Sequence, residues 1–179
     1  PPSENKSLLV DNGYGGFAPD ENGYQIRVAP GNLPPRRWSN FLSNADFGAM
    51  TNDLGISCIY YGNSRMGRIT AFENNLDFPK QAVEIFAHVN GRKLPLTPGT
   101  SPCGTYTVTF KPGETIYSAE TEDVKYETTC FTDTKDSVLY IRIAAQKKTK
   151  GETEIRFSAC VHYLMGTDNR DLRFTRING

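Results

Sequence analysis

Thr153-Glu154-Ile155-Arg156-Phe157-Ser158-Ala159-Cys160-Val161-His162-Tyr163 changes character at every step. Ile155, Phe157, Ala159, Val161 and Tyr163 fall on one face, while Glu154, Arg156, Ser158, Cys160 and His162 fall on the other. A period of two belongs to a half-buried strand, since successive side chains of extended backbone point to opposite sides. The same period recurs upstream. Leu139, Ile141 and Ile143 alternate with Val138, Tyr140 and Arg142; Tyr106, Val108 and Phe110 alternate with Thr105, Thr107 and Thr109; Val83, Ile85, Ala87 and Val89 repeat it. Branched and aromatic residues fill these runs, as a pleated surface prefers.

Turn signals separate the runs: Pro19-Asp20, Asn22-Gly23, Pro30-Gly31, Asn90-Gly91, Pro98-Gly99, Pro112-Gly113 and the Asp133 to Asp136 stretch. Asn90-Gly91, between Val89 and Arg92, predicts a two-residue hairpin. No long stretch carries an apolar stripe at helical spacing. The fold class is therefore all-β: about ten or more strands in an antiparallel β-sandwich. Residues 1–11 read as an N-terminal lead-in and 12–179 as one sandwich domain. Up to about residue 80 the chain is rich in Gly, Asn and Pro, which predicts short strands and long connections. Such connections carry function in compact domains, so a ligand site is expected within residues 12–75.

The chain has 179 residues, with 20 Lys plus Arg against 20 Asp plus Glu, hence no net charge. That balance opposes nucleic acid and anionic membrane as partners, because both need a basic surface. No apolar run approaches the roughly 18 residues of a membrane helix. The opening Pro1-Pro2-Ser3-Glu4-Asn5-Lys6-Ser7 has neither Met nor a leader pattern, and it reads as a piece of a longer chain. Cys58, Cys103, Cys130 and Cys160 are widely spaced with no Cys-x-x-Cys pair, which opposes zinc. Free thiols in a reducing, cytoplasmic setting are the expectation, with Cys58 and Cys160 acting as small hydrophobes; the even count leaves two bridges as the alternative.

Gly13-Tyr14-Gly15-Gly16-Phe17 lacks the Lys-Ser/Thr pair of a phosphate loop and reads as a tight turn into a strand. Asp46-Phe47-Gly48 spells a kinase triplet without any other kinase motif. His88 and His162, the only histidines, sit on polar strand faces and suit cross-strand roles. No nucleophile, base and orienting acid can be placed by spacing, and Asp20, Glu73, Asp133, Asp136, Asp168 and Asp171 read as turn residues. Arg36 to Asn40, with Trp38 central, Tyr60 to Arg68, and Glu73-Asn74-Asn75 form a polar-aromatic cluster. Flat rings beside Asn and Arg suit a sugar, whose apolar face stacks while its hydroxyls find partners. The alternative is that Trp38 and a Tyr are simply core.

Taken in order, several segments resemble the N-terminal β-sandwich of family 94 glycoside phosphorylases and the related part of cyclic β-1,2-glucan synthases. They are Gly15-Gly16-Phe17 with Asp20, Tyr24-Gln25-Ile26, Pro34 to Asn40, Asn44-Ala45-Asp46-Phe47-Gly48, Tyr61-Gly62-Asn63-Ser64-Arg65, Tyr106 to Phe110, and Val161 to Gly166. Asn63-Ser64-Arg65 looks closer to the glucan synthase and oligoglucan phosphorylase branch than to cellobiose phosphorylase. The family commonly follows that Ser-Arg with an acidic residue and Asn, where this chain has Met66-Gly67; a Pro-Trp pair is replaced by Ala71-Phe72.

The resemblance implies a galactose-mutarotase-like supersandwich preceding a catalytic barrel of helices that lies outside these residues. It implies no catalytic residue, metal or organic cofactor in this chain, with inorganic phosphate as co-substrate of the parent enzyme. Asn63, Ser64, Arg65 and Arg68 would be loop residues near the sugar, and Trp38 a packing or stacking ring. The implied partners are a β-linked glucose oligosaccharide, the catalytic helical domain of the same chain, and a second copy in a homodimer. The last strand would leave an edge that pairs onward. A stand-alone carbohydrate-binding module and a purely structural interaction domain remain as rivals.

Overall fold

The computed structural model describes residues 8–19, 23–71, 81–148 and 154–164. Twelve strands occupy them: β1 Gly15–Phe17, β2 Tyr24–Val28, β3 Ser39–Ser43, β4 Phe47–Asn52, β5 Gly55–Tyr61, β6 Val83–Val89, β7 Arg92–Pro95, β8 Tyr106–Lys111, β9 Glu114–Glu120, β10 Val124–Thr132, β11 Leu139–Lys147 and β12 Ile155–Val161. All pairings are antiparallel, and no helix occurs among the described residues. One sheet runs β1-β2-β8-β9-β10-β11, the other β12-β6-β5-β4-β3, with β7 added to β6. The all-β sandwich read from the alternation is the fold.

Local chemistry explains the connections. At the β6–β7 hairpin Asn90 and Gly91 have φ of 48° and 78°, the left-handed pair that a twisted two-residue turn requires. Pro112-Gly113 closes β8 onto β9, with Gly113 at φ 78°. Ahead of β1, Asp11 Oδ1 accepts the Gly13 N–H, and Asn12 Oδ1 accepts those of Tyr14 and Gly15. The glycine-rich segment is thus a side-chain-braced turn into a strand. Leu9 already pairs with Phe17 through two 2.8 Å backbone bonds.

The first half departs from its expected texture. Residues 39–61 make a tight meander of β3, β4 and β5, closed by short turns at 44–46 and 53–54. Asn52 and Asn44 account for this, because each side chain accepts two downstream backbone N–H groups and replaces a longer loop.

The core lies between the sheets. Val83, Ile85, Ala87 and Val89 of β6 face Ile26, Val28, Tyr106, Val108, Tyr117, Val124 and Tyr126. Three buried tyrosines satisfy their hydroxyls across the interface: Tyr117 donates to Asn52 O, and Tyr106 and Tyr126 both donate to Pro95 O. Burial raises the pKa of all three phenols. Asn40 Nδ2 bonds Lys111 O, Glu114 O and Thr115 Oγ1 at the β8–β9 turn, while Asn44 Nδ2 bonds Asp133 O and Asp136 O in the β10–β11 loop. β3 therefore crosses the ends of the opposite sheet's strands, and Asn40 is spent on holding the two sheets together.

β12 differs from its sequence reading. It pairs with β6 along its whole length, but Phe157 and Val161 are 49% and 38% exposed. Cys160 is also exposed, not a small hydrophobe in the core. Among the described residues β12 ends its sheet, and the apolar half of the alternating stretch is only partly covered. All four cysteines are free, with Cys58 and Cys130 buried. Asp20, Phe72, Glu73, Asn74, Asn75, Met165, Gly166, Asp168, Asp171 and the Asn5-Lys6-Ser7 sequon lie outside the described residues.

Candidate functional site

Three turns meet at one rim of the sandwich. The β3–β4 turn, the loop after β5 and the β10–β11 loop are joined by Asn44 and by the Gly62 N–H, which donates to Asp46 O at 2.6 Å. The loop after β5 braces itself. Asn63 Oδ1 accepts the N–H groups of Arg65 and Met66, Arg68 Nε donates to Ser64 O, and Gly67 O accepts the Tyr61 N–H. Beyond it, residues 68–71 run as an extended segment between β5 and the end of β12, through the Tyr60–Arg68 and Thr70–Tyr163 bridges.

That wiring separates the four loop residues into two roles. Asn63 and Arg68 commit polar groups to the loop itself. Ser64 and Arg65 stand exposed at its tip, with Met66 82% exposed beside them. Among the described residues no carboxylate pairs with the Arg65 guanidinium. Met66-Gly67 also has a local reason. A Cβ at Gly67 would lie 1.7 Å from Tyr61 O, so the chain closes there only with glycine. Across the rim, Asp133 Oδ1 accepts the Lys135 and Asp136 N–H groups, which holds its carboxyl below the usual range.

Trp38 is not part of this rim. It precedes β3, where its N–H donates to Asp53 Oδ1 in the β4–β5 turn, at the opposite end of the meander. The six residues of β4 put the two places roughly 20 Å apart. Nor is Trp38 core, being 39% exposed. Its ring stacks on Tyr24 at 4.8 Å and 14°, and Phe17 meets Tyr24 edge-on at 5.0 Å. Burial raises the Tyr24 phenol pKa, against the opposing hydrogen bond from Asn12. Beneath the strip, Arg37 Nη1 lies 2.8 Å from Asp53 Oδ2, both side chains almost wholly buried.

Local spacing does not pair Phe17 and Tyr24 with Trp38, because the stack is made across strands. The polar faces of β6 and β12 hold two cross-strand pairs, as the histidine positions suggested. His88 Nε2 lies 2.9 Å from Ser158 Oγ, and His162 Nε2 lies 3.0 Å from Glu84 Oε2. Cys160 joins the second pair: the ligating atoms of Glu84, Cys160 and His162 all lie within 4.8 Å of one another. Among the described residues these three could hold a metal, and no sequence spacing brings Glu84 to the other two.

Comparison with known proteins agrees with the resemblance. Residues 22–178 match the family model described as glycosyl hydrolase 94, supersandwich domain. The chain is also 32% identical over 87 residues to the cyclic beta-(1,2)-glucan synthase NdvB of Rhizobium meliloti (strain 1021). That alignment covers 49% of this chain and 3% of the relative.

Proposed function

The chain belongs to the glycosyl hydrolase 94 supersandwich family, and from that membership we propose that it is the non-catalytic, carbohydrate-associated sandwich of a larger glucan-processing enzyme. The reading extends to an inverting β-glucan or β-glucoside phosphorylase as the parent, in a reducing cytoplasmic setting and as a homodimer. The observation that carries it is the self-braced loop at 61–68. Its internal hydrogen bonds hold Ser64 and Arg65 outward, their side chains without partners among the described residues, on a rigid frame where a neighbouring domain can use them.

In the parent, one carboxylic acid outside this chain protonates the leaving oxygen while phosphate attacks the anomeric carbon, so no second carboxylate is needed. This chain's part is positional. Arg65 and Ser64 supply donors to sugar hydroxyls at the domain boundary, and Asn63 and Arg68 keep the loop in shape. Substitution Arg65→Ala in the parent is expected to raise KM for the sugar about tenfold, the worth of one charge-assisted hydrogen bond, with thermal stability unchanged. Unaltered kinetics would remove Arg65 from the site.

A second reading is favoured by the Phe17–Tyr24–Trp38 strip, an exposed aromatic surface of the kind a glucose ring stacks on. As a binding module without chemistry, the isolated chain would show saturable Trp38 fluorescence quenching with β-linked glucose oligomers. A flat titration alongside an altered Arg65→Ala KM leaves the first reading alone.

A further inference from the structure

We propose that Glu84, Cys160 and His162 form a binding site for a zinc-class divalent ion on the outer face of the β6–β12 pair. Strand geometry assembles it. Cys160 and His162 are two residues apart and so project to the same side, and Cys160 stands directly opposite Glu84 in the antiparallel register. The backbone of His162 is held on both flanks, its N–H donating to Ala82 O and its C=O accepting from Ala71 N, each at 2.9 Å. Glu84 and Cys160 therefore stand on sheet backbone and His162 follows one residue past β12 on backbone bonded at both sides, which fixes their direction better than a free loop would.

The donor set selects the ion. One thiolate, one imidazole and one carboxylate suit Zn²⁺ and its borderline neighbours, whereas Mg²⁺ and Ca²⁺ take oxygen alone. Tetrahedral coordination at the usual bond lengths puts donor atoms about 3.5 Å apart. The donors lie within 4.8 Å of one another, and His162 Nε2 and Glu84 Oε2 are already 3.0 Å apart. Small side-chain rotations close the site. Cys160 and His162 are exposed, so the fourth position is left to water or to a ligand from outside.

Binding replaces the proton on the thiol, and on any charged imidazole, by the metal, so those protons are released to solvent and affinity falls as the pH drops. The ion would also staple an edge strand. Among the described residues β12 has one strand neighbour along its length, and both its faces are largely exposed. A clamp from Glu84 to Cys160 and His162 ties it to β6 near the Val83–Val161 end of the pair.

Cobalt(II) is the probe, since thiolate ligation gives it an ultraviolet charge-transfer band. The chelator-treated chain titrated with CoCl₂ should show that band, saturating at one equivalent and displaced by zinc. The band should vanish in Cys160→Ser and persist in Cys103→Ser, which removes the other exposed thiol. His162→Gln and Glu84→Gln should each weaken cobalt binding about tenfold or more. Zinc should also slow alkylation of Cys160 in the unaltered chain and leave Cys103 reactive, which tests the site without any variant. No charge-transfer band with the unaltered chain, a band that survives Cys160→Ser, or equal alkylation of Cys160 with and without zinc would overturn the proposal.

Discussion

At the scale of single residues the most consequential side chains are two whose pairing no motif disclosed. Arg37 and Asp53 are a buried ion pair under the aromatic strip, and Asp53 also accepts the Trp38 N–H. Desolvation raises the Asp53 pKa above its ordinary value of 3.8, against the lowering pull of Arg37 and two backbone hydrogen bonds. The folded chain thus binds this proton more tightly than the unfolded chain does. Between the raised value and 3.8, the stability contributed by Asp53 grows as pH falls and is lost as pH rises. Urea unfolding of the parent chain and Asp53→Asn, compared from neutrality down to about pH 4, should show the difference moving in favour of Asp53 on acidification. A difference that stays flat would mean the carboxyl is not desolvated. Arg37→Ala leaves a buried carboxylate uncompensated and should cost about 3–5 kcal/mol in the same measurement at neutral pH.

At the scale of elements, what the sequence disclosed depended on whether an element's contacts were local. The alternation at 83–89, 106–110 and 139–143 is a local pattern, and each run is a strand where the period put it. The Asn90-Gly91 hairpin is equally local. Residues 39–61 hid their strands, since Asn44 and Asn52 build compact turns from hydrogen bonds that composition reads as loop. Cys160 is exposed because it lies on the polar face of its alternating stretch, with Arg156, Ser158 and His162, on a strand at the end of the described sheet. Native-state alkylation resolves this directly: iodoacetamide should modify Cys103 and Cys160 quickly, and Cys58 and Cys130 only on unfolding, Cys130 having its thiol pushed up to about 12 by burial. Mass spectrometry showing four equally fast thiols would contradict the described packing. The loop after β5 offers a second check at this scale. Gly67→Ala drives a methyl into Tyr61 O, and it should destabilise by about 1–3 kcal/mol while disturbing the amide signals of 61–68 and sparing those of β8 to β10.

At the scale of the whole molecule, the grouping of the candidate residues was only half legible in the sequence. Asn63, Ser64, Arg65 and Arg68 do share one loop, because they are neighbours in sequence; Trp38 sits at the far end of the meander, a placement that only strand pairing decides. Among the described residues the same pairing leaves the β12 edge open. Phe157 is 49% and Val161 38% exposed on that strand, and the chain carries 20 basic against 20 acidic side chains. An exposed apolar edge is a template for further strand pairing, and a neutral molecule lacks the repulsion that would oppose it. The isolated chain should therefore self-associate, its weight-average mass in sedimentation equilibrium rising with concentration. Phe157→Lys places a charge on that edge and gives up roughly half of a phenylalanine's burial, a cost of about 1 kcal/mol. It should sediment as a monomer over the same concentrations. Should both proteins stay monomeric, the edge is protected by something other than charge, and β12 would no longer count as an interaction surface; should both associate alike, the contact lies elsewhere on the sandwich.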